Sequence, residues 1–150
     1  MKIACVGDNC VDYYDNTGEV FPGGNPVNVA VYVRRMGGQS AYLGAVGTDA
    51  YGGLILQALE EKGVDVHRVK RLPGAPALSH VCLINGERVF GDYDEGVMAQ
   101  FALTPGDVEF LCSYDLVVSG LWGRVEKSLA QIAARGVPVA FDCSERPEDE

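Results

Sequence analysis

One segment has residue types that directly suggest binding chemistry. It begins with two adjacent glycines, Gly23 and Gly24, and continues with Asn25-Pro26 and Asn28. Glycine has no Cβ atom, so a ligand can approach the main-chain amides of these residues closely. Asn25 and Pro26 suit the N-cap and the first position of a helix, which would place Asn28 one turn further along. The pattern fits either a tight turn capped by Asn25 or a binding site for a polyhydroxylated molecule.

Asp12 is the candidate carboxylate for such a site, because it follows the first apolar run of the chain, residues 2–7. Open α/β sheets bind ligands at the carboxyl ends of their strands, and a carboxylate can accept hydrogen bonds from two neighbouring hydroxyls. A solvated turn is the simpler interpretation of an isolated aspartate. Asp8, which directly follows Gly7, is typical of a turn residue.

A further polar cluster consists of Arg88 and residues 92–95, which include Tyr93. Most charge clusters are solvated faces, but an arginine beside acidic side chains can also pair with the carboxylate and the amine of one ligand. Arg88 and Tyr93 are therefore candidate binding residues. Trp122 is better explained by packing than by ligand stacking. Asp142 ends the last apolar run and is a weaker candidate for facing a ligand.

Short apolar runs of strand length alternate with helical patterns along the chain, an order typical of a doubly wound, mainly parallel α/β sheet. Asp49 is expected to cap the second helix, and Thr104-Pro105 to begin the third. The predicted strands are residues 2–7, 40–46, 115–119 and 137–142, and the longer helices are about 26–36, 50–62 and 124–135.

Residues 12–21 and 77–93 are also strand-like but do not fit this alternation. The second segment contains Asn85-Gly86, a strong signal for a two-residue hairpin turn. The pattern alone favours a surface hairpin that packs on the main sheet.

The glycines and polar residues from Gly23 to Gly52 resemble the N-terminal signature of the ribokinase-like (PfkB) family of carbohydrate kinases. Residues 7–12 and 88–98 are similar to one branch of that family, the fructoselysine 6-kinases. The resemblance extends from Met1 to about Ser144.

This resemblance implies a ribokinase-like fold that uses ATP and Mg²⁺ to phosphorylate a primary hydroxyl of a sugar or ketosamine, with fructoselysine as the chosen substrate ahead of fructose. It implies that segments 12–21 and 77–93 form a small β-sheet lid, which closes over the sugar and joins two copies in a homodimer. The residues that it implies for substrate binding are Asp12, Gly23, Gly24, Asn25, Asn28, Arg88 and Tyr93.

The family places its catalytic base in a Gly-Ala-Gly-Asp motif at a helix start, and residues 1–150 do not contain that motif. We therefore expect residues 1–150 to be the N-terminal, sugar-binding part of a larger domain, with the base beyond residue 150 and no activity in isolation. A non-catalytic sugar-binding protein or subunit is the alternative. A dinucleotide-dependent oxidoreductase is disfavoured, because Gly-x-Gly-x-x-Gly does not follow the first strand.

Composition limits the classes of protein and of partner that remain. A hydrophobic content of 47% suits a globular domain, and a net charge of −9 with only 12 lysines and arginines argues against a nucleic-acid partner. The five cysteines are widely spaced and suit reduced core thiols better than disulfides or a metal site. Neither a signal peptide nor a membrane-spanning segment is visible, so we expect no membrane partner and a cytoplasmic location.

Overall fold

The computed structural model of the protein describes residues 1–144. The strands of this part are β1 Lys2–Val6, β2 Cys10–Tyr14, β3 Glu19–Gly23, β4 Gln39–Leu43, β5 Ala45–Gly47, β6 Lys70–Leu72, β7 Leu78–Ile84, β8 Glu87–Asp94, β9 Leu116–Gly120 and β10 Val139–Asp142. The α-helices are α1 Asn25–Arg35, α2 Ala50–Glu61, α3 Pro105–Leu111 and α4 Glu126–Ala134, and short 3-10 helices cover Gly96–Gln100 and Leu121–Gly123. Within residues 1–144 no helix is both long and apolar enough to cross a membrane.

A parallel sheet in the order β10-β9-β1-β4 forms the centre of the molecule. Successive residues of β1 face opposite sides of this sheet, so Ala4 packs in the cluster that contains α3 and α4, whereas Cys5 packs in the cluster that contains α1 and α2. Fully buried side chains, such as Ile132 on one side of the sheet and Ile55 on the other, each stabilise the fold by about 1.5–3 kcal/mol. Helices therefore cover both faces, which confirms the doubly wound α/β fold.

The structure divides the predicted strand 40–46 at Gly44. Strand β4 stays in the main sheet, whereas β5 leaves it and pairs in parallel with β6, a strand that the sequence analysis missed. A Cβ atom on Gly44 would lie 2.0 Å from the Tyr42 hydroxyl oxygen and 2.8 Å from the Gly7 carbonyl oxygen. Only glycine fits at this position, and the chain leaves the main sheet there.

Helices α2 and α3 begin at the predicted caps. The Asp49 carboxylate accepts a hydrogen bond from the Gly52 N–H at 2.8 Å. In α3, the Thr104 hydroxyl accepts from the Asp107 N–H at 3.2 Å, and the Asp107 carboxylate accepts from the Thr104 N–H at 2.9 Å. This reciprocal pair is a capping box, and each such cap stabilises a helix by about 1 kcal/mol.

Helix α4 begins two residues later than the predicted residue 124. Arg124 has a φ of 52°, in the left-handed region, and it ends the preceding 3-10 helix instead of starting α4. The end of α4 at Ala134 agrees better with the predicted end at about residue 135, because Gly136, with a φ of 85°, stops the helix there.

Strands β2, β3, β7 and β8 form a second sheet in the order β3-β2-β7-β8, here called the lid sheet. The β2–β3 and β7–β8 pairs are antiparallel, and β2 pairs with β7 in parallel. Asn85 and Gly86 have φ values of 55° and 84°, so both occupy the left-handed region that a two-residue hairpin turn requires. Every residue of β8 is exposed.

Candidate functional site

The candidate site lies at the carboxyl ends of β1 and β9, where the chain reverses the direction in which it adds strands to the main sheet. The loops that follow these two strands touch through their backbones: a Cβ atom on Gly7 would lie 2.9 Å from the Cα atom of Gly123. Gly7 also has a φ of 126°, which L side chains rarely adopt. Ligands of open α/β sheets bind at this kind of switch point.

The N-terminus of α1 is seated directly on the loop that follows β1. Gly24 is the N-cap, with a φ of 105°, and a Cβ atom there would lie 2.8 Å from the Cα atom of Asn9 and 2.9 Å from the carbonyl oxygen of Asp8. The Asn28 N–H donates to the Gly24 carbonyl oxygen at 3.0 Å, and the Asn28 side chain is exposed. Gly24 and the first turn of α1 therefore border the crevice.

The interpretation of Asn25 as the N-cap is wrong. Asn25 is the first residue of α1, and the helix has no side-chain cap because Gly24 takes the cap position. The Asn25 amide instead donates to the Asp142 carboxylate at 2.6 Å. This hydrogen bond joins the start of α1 to the carboxyl end of β10.

Asp12 lies within strand β2 of the lid sheet, at the start of the segment 12–21 that is strand-like in sequence, and not at the carboxyl end of β1. Its carboxylate lies over the backbone of Gly23 on the neighbouring strand, because a Cβ atom on Gly23 would be 2.8 and 2.9 Å from the two carboxylate oxygens. We call this arrangement of Asp12 over Gly23 the carboxylate slot. It gives Gly23 a different role from Gly24: Gly23 makes room for a side chain, and Gly24 lets two backbone segments touch.

Asp8 is a residue of the crevice that the sequence analysis set aside as a turn residue. Its side chain is buried, with 7% exposure, and its Oδ1 atom has no hydrogen-bond partner among the described residues. Burial raises the pKa of Asp8, hydrogen bonds from the backbone of Asp8 and Asn25 oppose that shift, and the charge of Asp142 adds to it. The position of Asp8 at the carboxyl end of β1 was the signal that could have identified it.

Buried hydrogen bonds fix the loop between β1 and β2. The Asn9 amide donates to the Tyr42 hydroxyl oxygen at 2.8 Å and to the Ala45 carbonyl oxygen at 2.7 Å. The Tyr42 hydroxyl donates in turn to the Gly7 carbonyl oxygen at 2.8 Å. Burial raises the pKa of Tyr42 well above its ordinary value, so this hydroxyl stays a neutral donor. Residue type alone did not reveal this pair, because it depends on contacts between distant strands.

Tyr93 and Arg88 occupy different parts of β8. The Tyr93 ring lies 6.4 Å from the Trp122 ring, centroid to centroid, and keeps 44% exposure. Partial desolvation of its hydroxyl, together with nearby negative groups including Asp8, raises the Tyr93 pKa. Arg88 stands roughly 16 Å further along the strand, at about 3.3 Å per residue, with its guanidinium 5.7 Å from the Phe90 ring. The structure therefore brings Tyr93 to the crevice and leaves Arg88 near the hairpin end of the lid sheet.

The charges around the crevice are mainly negative. Asp8, Asp12 and Asp142 contribute three carboxylates, and Arg124 at the rim is already paired with Glu95. Within the described residues, no group of three or more His, Cys, Asp or Glu side chains is arranged to hold a metal ion. The arrangement suits hydrogen bonding to hydroxyl and amine groups.

Two cavities of about 410 and 310 Å³ lie at the other end of the main sheet. Both are lined by Lys2, Gln39 and Ser113, which stand at or before the amino ends of strands β1, β4 and β9. They are therefore separate from the crevice at the carboxyl ends.

Comparisons with known proteins identify the family and the fold. The family model described as pfkB family carbohydrate kinase matches residues 2–149. The chain is 45% identical over 144 residues to the fructoselysine 6-kinase of Escherichia coli (strain K12), with 96% of this chain and 55% of that protein covered. It is 35% identical over 154 aligned positions to a fructosamine kinase of Bacillus subtilis (strain 168), with 100% of this chain and 54% of that protein covered.

Among solved structures, the fructokinase of Xylella fastidiosa with bound ATP superimposes with a TM-score of 0.78 at 25% identity. The match covers 97% of this chain and 49% of that one. The chain thus spans about half the length of the proteins it matches.

Proposed function

Because the chain belongs to the pfkB family of carbohydrate kinases, we propose that the complete protein transfers the γ-phosphoryl group of ATP to a primary hydroxyl of a ketosamine. The proposed substrate is fructoselysine, and the proposed product is fructoselysine 6-phosphate. The identity of 45% with a fructoselysine 6-kinase over nearly all of this chain supports that choice.

The carboxylate slot is the observation that carries the proposal. An ionised carboxylate only accepts hydrogen bonds, and its two oxygens can hold two vicinal hydroxyls of a sugar. The backbone of Gly23 beneath the carboxylate brings Asp12 next to the Gly24 N-cap and the first turn of α1. A sugar held here would contact Asp12, Gly24 and Asn28 together, with Asn25 at its edge. Such fixed contacts supply the orientation on which phosphoryl transfer depends.

The negative charge of the crevice favours a ketosamine over a neutral sugar. Fructoselysine carries an amine that is protonated at neutral pH, and the carboxylates of Asp8 and Asp142 attract a cation in this partly desolvated place. Tyr93 offers an aromatic surface on the lid side. Arg88 is the proposed contact for the carboxylate of the lysine moiety, because a guanidinium can pair with a carboxylate through two hydrogen bonds.

ATP and Mg²⁺ are the proposed cofactors of the complete protein, and they supply the phosphoryl group and the neutralisation of its charge. The residues described here bind and orient the sugar and exclude water from it. We propose that residues 1–150 form the N-terminal sugar-binding part of a larger ribokinase-like domain and that they do not turn over ATP alone.

A homodimer formed through the lid sheet is part of the proposal. Phe21, Leu83, Ile84, Val89 and Phe90 of this sheet are large apolar side chains with 41–61% exposure. Leu83, Ile84, Val89 and Phe90 lie on β7 and the exposed edge strand β8, whereas Phe21 lies on the opposite edge strand β3. Apolar side chains grouped at an exposed edge are typical of an interface, and pairing with a second copy would cover them.

A coupled assay of ADP release with the complete protein tests the substrate. We expect fructoselysine to give a kcat/KM at least tenfold above that of fructose, and mass spectrometry to show one added phosphoryl group. Purified residues 1–150 should give no turnover with either sugar. Preference for fructose would contradict the ketosamine proposal, whereas saturable sugar binding by the complete protein without any ATP turnover would favour a non-catalytic sugar-binding protein.

A further inference from the structure

Cys10 contacts the carboxylate slot directly. Cys10 begins β2, and because side chains alternate along a strand, it shares a face with Asp12 two residues later. Its thiol donates a hydrogen bond to Asp12 Oδ1 at 3.3 Å. Strand β3 places Gly23 opposite Cys10, and a Cβ atom on Gly23 would lie 2.9 Å from the Cys10 sulfur as well as against both carboxylate oxygens. The thiol and the carboxylate therefore share the space that Gly23 leaves open.

Packing fixes the thiol from the other side. Cys10 is partly buried against a small apolar cluster of Ala45, Ala77, Val97 and Met98, which lies between the lid sheet, β5 and the 3-10 helix Gly96–Gln100. The sulfur is thus held between this cluster and the Asp12 carboxylate. A donor whose position is set by packing restricts the rotamers of the group that accepts from it.

The environment also keeps the thiol protonated. Burial raises the pKa of Cys10 far above its ordinary value, and the negative charge of Asp12 and the hydrogen bond to it raise it further. A thiolate in this place would repel the carboxylate. At neutral pH the group is therefore an S–H donor, and it remains one across the range in which enzymes of this kind are assayed.

We propose that Cys10 is a positioning residue for Asp12: its thiol donates to one lone pair of Oδ1, so that the carboxylate keeps one orientation while both oxygens can still accept from the hydroxyls of the substrate. The proposal rests on the proposed function, since it assumes that Asp12 receives the sugar. It assigns Cys10 no contact with the reacting atoms. It also explains why glycine precedes Gly24, because any side chain at position 23 would displace the thiol or the carboxylate.

Kinetics of the complete protein with ATP and fructoselysine provide the first test. Cys10→Ala removes the donor and should raise the KM for fructoselysine about fivefold, the equivalent of one modest hydrogen bond, with kcat and the KM for ATP within about twofold of wild type. Cys10→Ser keeps a donor and should restore most of the affinity. Cys82→Ala is the matched control, because the Cys82 thiol donates to Asp15 elsewhere on the lid sheet.

An unchanged KM for fructoselysine in Cys10→Ala would overturn the proposal. A purely structural role predicts a different pattern, in which Cys10→Ala and Cys10→Ser lower Tm and kcat together and serine gives no rescue. That pattern would overturn the proposal as well.

A second measurement does not depend on activity. Alkylation of the complete protein by iodoacetamide at pH 9, followed for each cysteine by mass spectrometry, compares wild type with Asp12→Asn. Removal of the carboxylate charge should increase the alkylation rate of Cys10 at least threefold and leave that of Cys82 unchanged, because the thiolate is the reactive form. Equal alkylation rates of Cys10 in wild type and in Asp12→Asn would contradict the contact between the thiol and the carboxylate, and would overturn the proposal. Faster alkylation in a protein that phosphorylates no sugar would uphold the contact and refute the proposed function instead.

Discussion

At Asp8 the molecule keeps a carboxylate in a place that costs stability. Its Oδ1 atom is buried without a partner among the described residues, and an unmade hydrogen bond of a buried polar group costs about 1–3 kcal/mol. The residue stands where α1, β1 and β10 meet, beside Asn25 and Asp142. A destabilising group at a switch point of the sheet is typical of a residue that is kept for binding.

Asp8→Asn should therefore make the protein more stable at pH 7, by about 1 kcal/mol, while it lowers kcat/KM for the sugar. The folded-state pKa of Asp8 is raised, so its ionised form opposes folding at a pH above that value. The gain should shrink as pH falls through the folded-state pKa and vanish below about pH 4, where Asp8 is protonated in both states.

Urea unfolding at pH 7, 5 and 3.5 measures this effect, with Asp92→Asn on the exposed strand β8 as the control. We expect the control to shift the free energy of unfolding by less than about 0.5 kcal/mol at each pH. A loss of stability in Asp8→Asn at pH 7 would show that the carboxylate is well satisfied in the folded protein.

At the scale of the elements, local chemistry explains what the sequence revealed. Asp49 and Thr104 each accept from an amide three residues away, and Asn85-Gly86 has its own turn preference, so these helix starts and this turn are encoded by nearby residues. The alternation of apolar runs likewise indicated the doubly wound sheet.

Non-local contacts explain what the sequence did not reveal. The 3-10 helix that ends at Arg124 packs on the loop after β1, since a Cβ atom on Gly123 would lie 2.9 Å from the Cα atom of Gly7. Strand β5 leaves the main sheet where Gly44 passes close to the carbonyl oxygen of Gly7. Asn25 illustrates the same limit within the site. Its type predicted a cap, but its partner is Asp142, which lies 117 residues away in the chain.

The capping box of α3 gives a test at this scale. Burial alone would raise the pKa of Asp107, but hydrogen bonds from Thr104 and Lys70 lower it below the ordinary value. Asp107 therefore contributes stability above about pH 4, and that contribution is lost as pH falls through the folded-state pKa. Asp107→Asn should lower the free energy of unfolding at pH 7 by about 1–2 kcal/mol, with a smaller difference at pH 2.5.

Glu109→Gln on the same helix is the matched control, because Glu109 pairs with Arg135 at an exposed position and should contribute less than about 0.5 kcal/mol. Chemical denaturation of both variants at the two pH values separates the buried carboxylate from the exposed one. Equal losses in the two variants at pH 7 would contradict the assigned role of Asp107.

At the scale of the whole molecule, the lid sheet is the part with the most exposed apolar surface. Phe90 has 61% exposure on the edge strand β8, and Val89 beside it has 47%. Outside the lid sheet, Tyr32, with 58% exposure, and Met36, with 80%, lie on α1 and at its end. The group on the lid sheet is larger, which supports the proposed homodimer through that sheet.

Phe90→Asp should convert the complete protein from a dimer to a monomer, because it places a charge in the apolar interface. Sedimentation velocity measures the change, and Met36→Asp is the control that should remain dimeric. A wild-type protein that sediments as a monomer at micromolar concentration would contradict the proposed homodimer, as would a Phe90→Asp variant that stays dimeric.

Asp12→Asn tests whether the carboxylate slot holds the sugar. Initial rates of ADP release by the complete protein, measured over a range of fructoselysine and ATP concentrations, give the KM for each. We expect Asp12→Asn to lower kcat/KM for fructoselysine by about 100-fold, because it loses a charged acceptor worth roughly 3 kcal/mol, while the KM for ATP stays within about twofold of wild type. A variant with the sugar KM and kcat of the wild type would contradict that role of the slot.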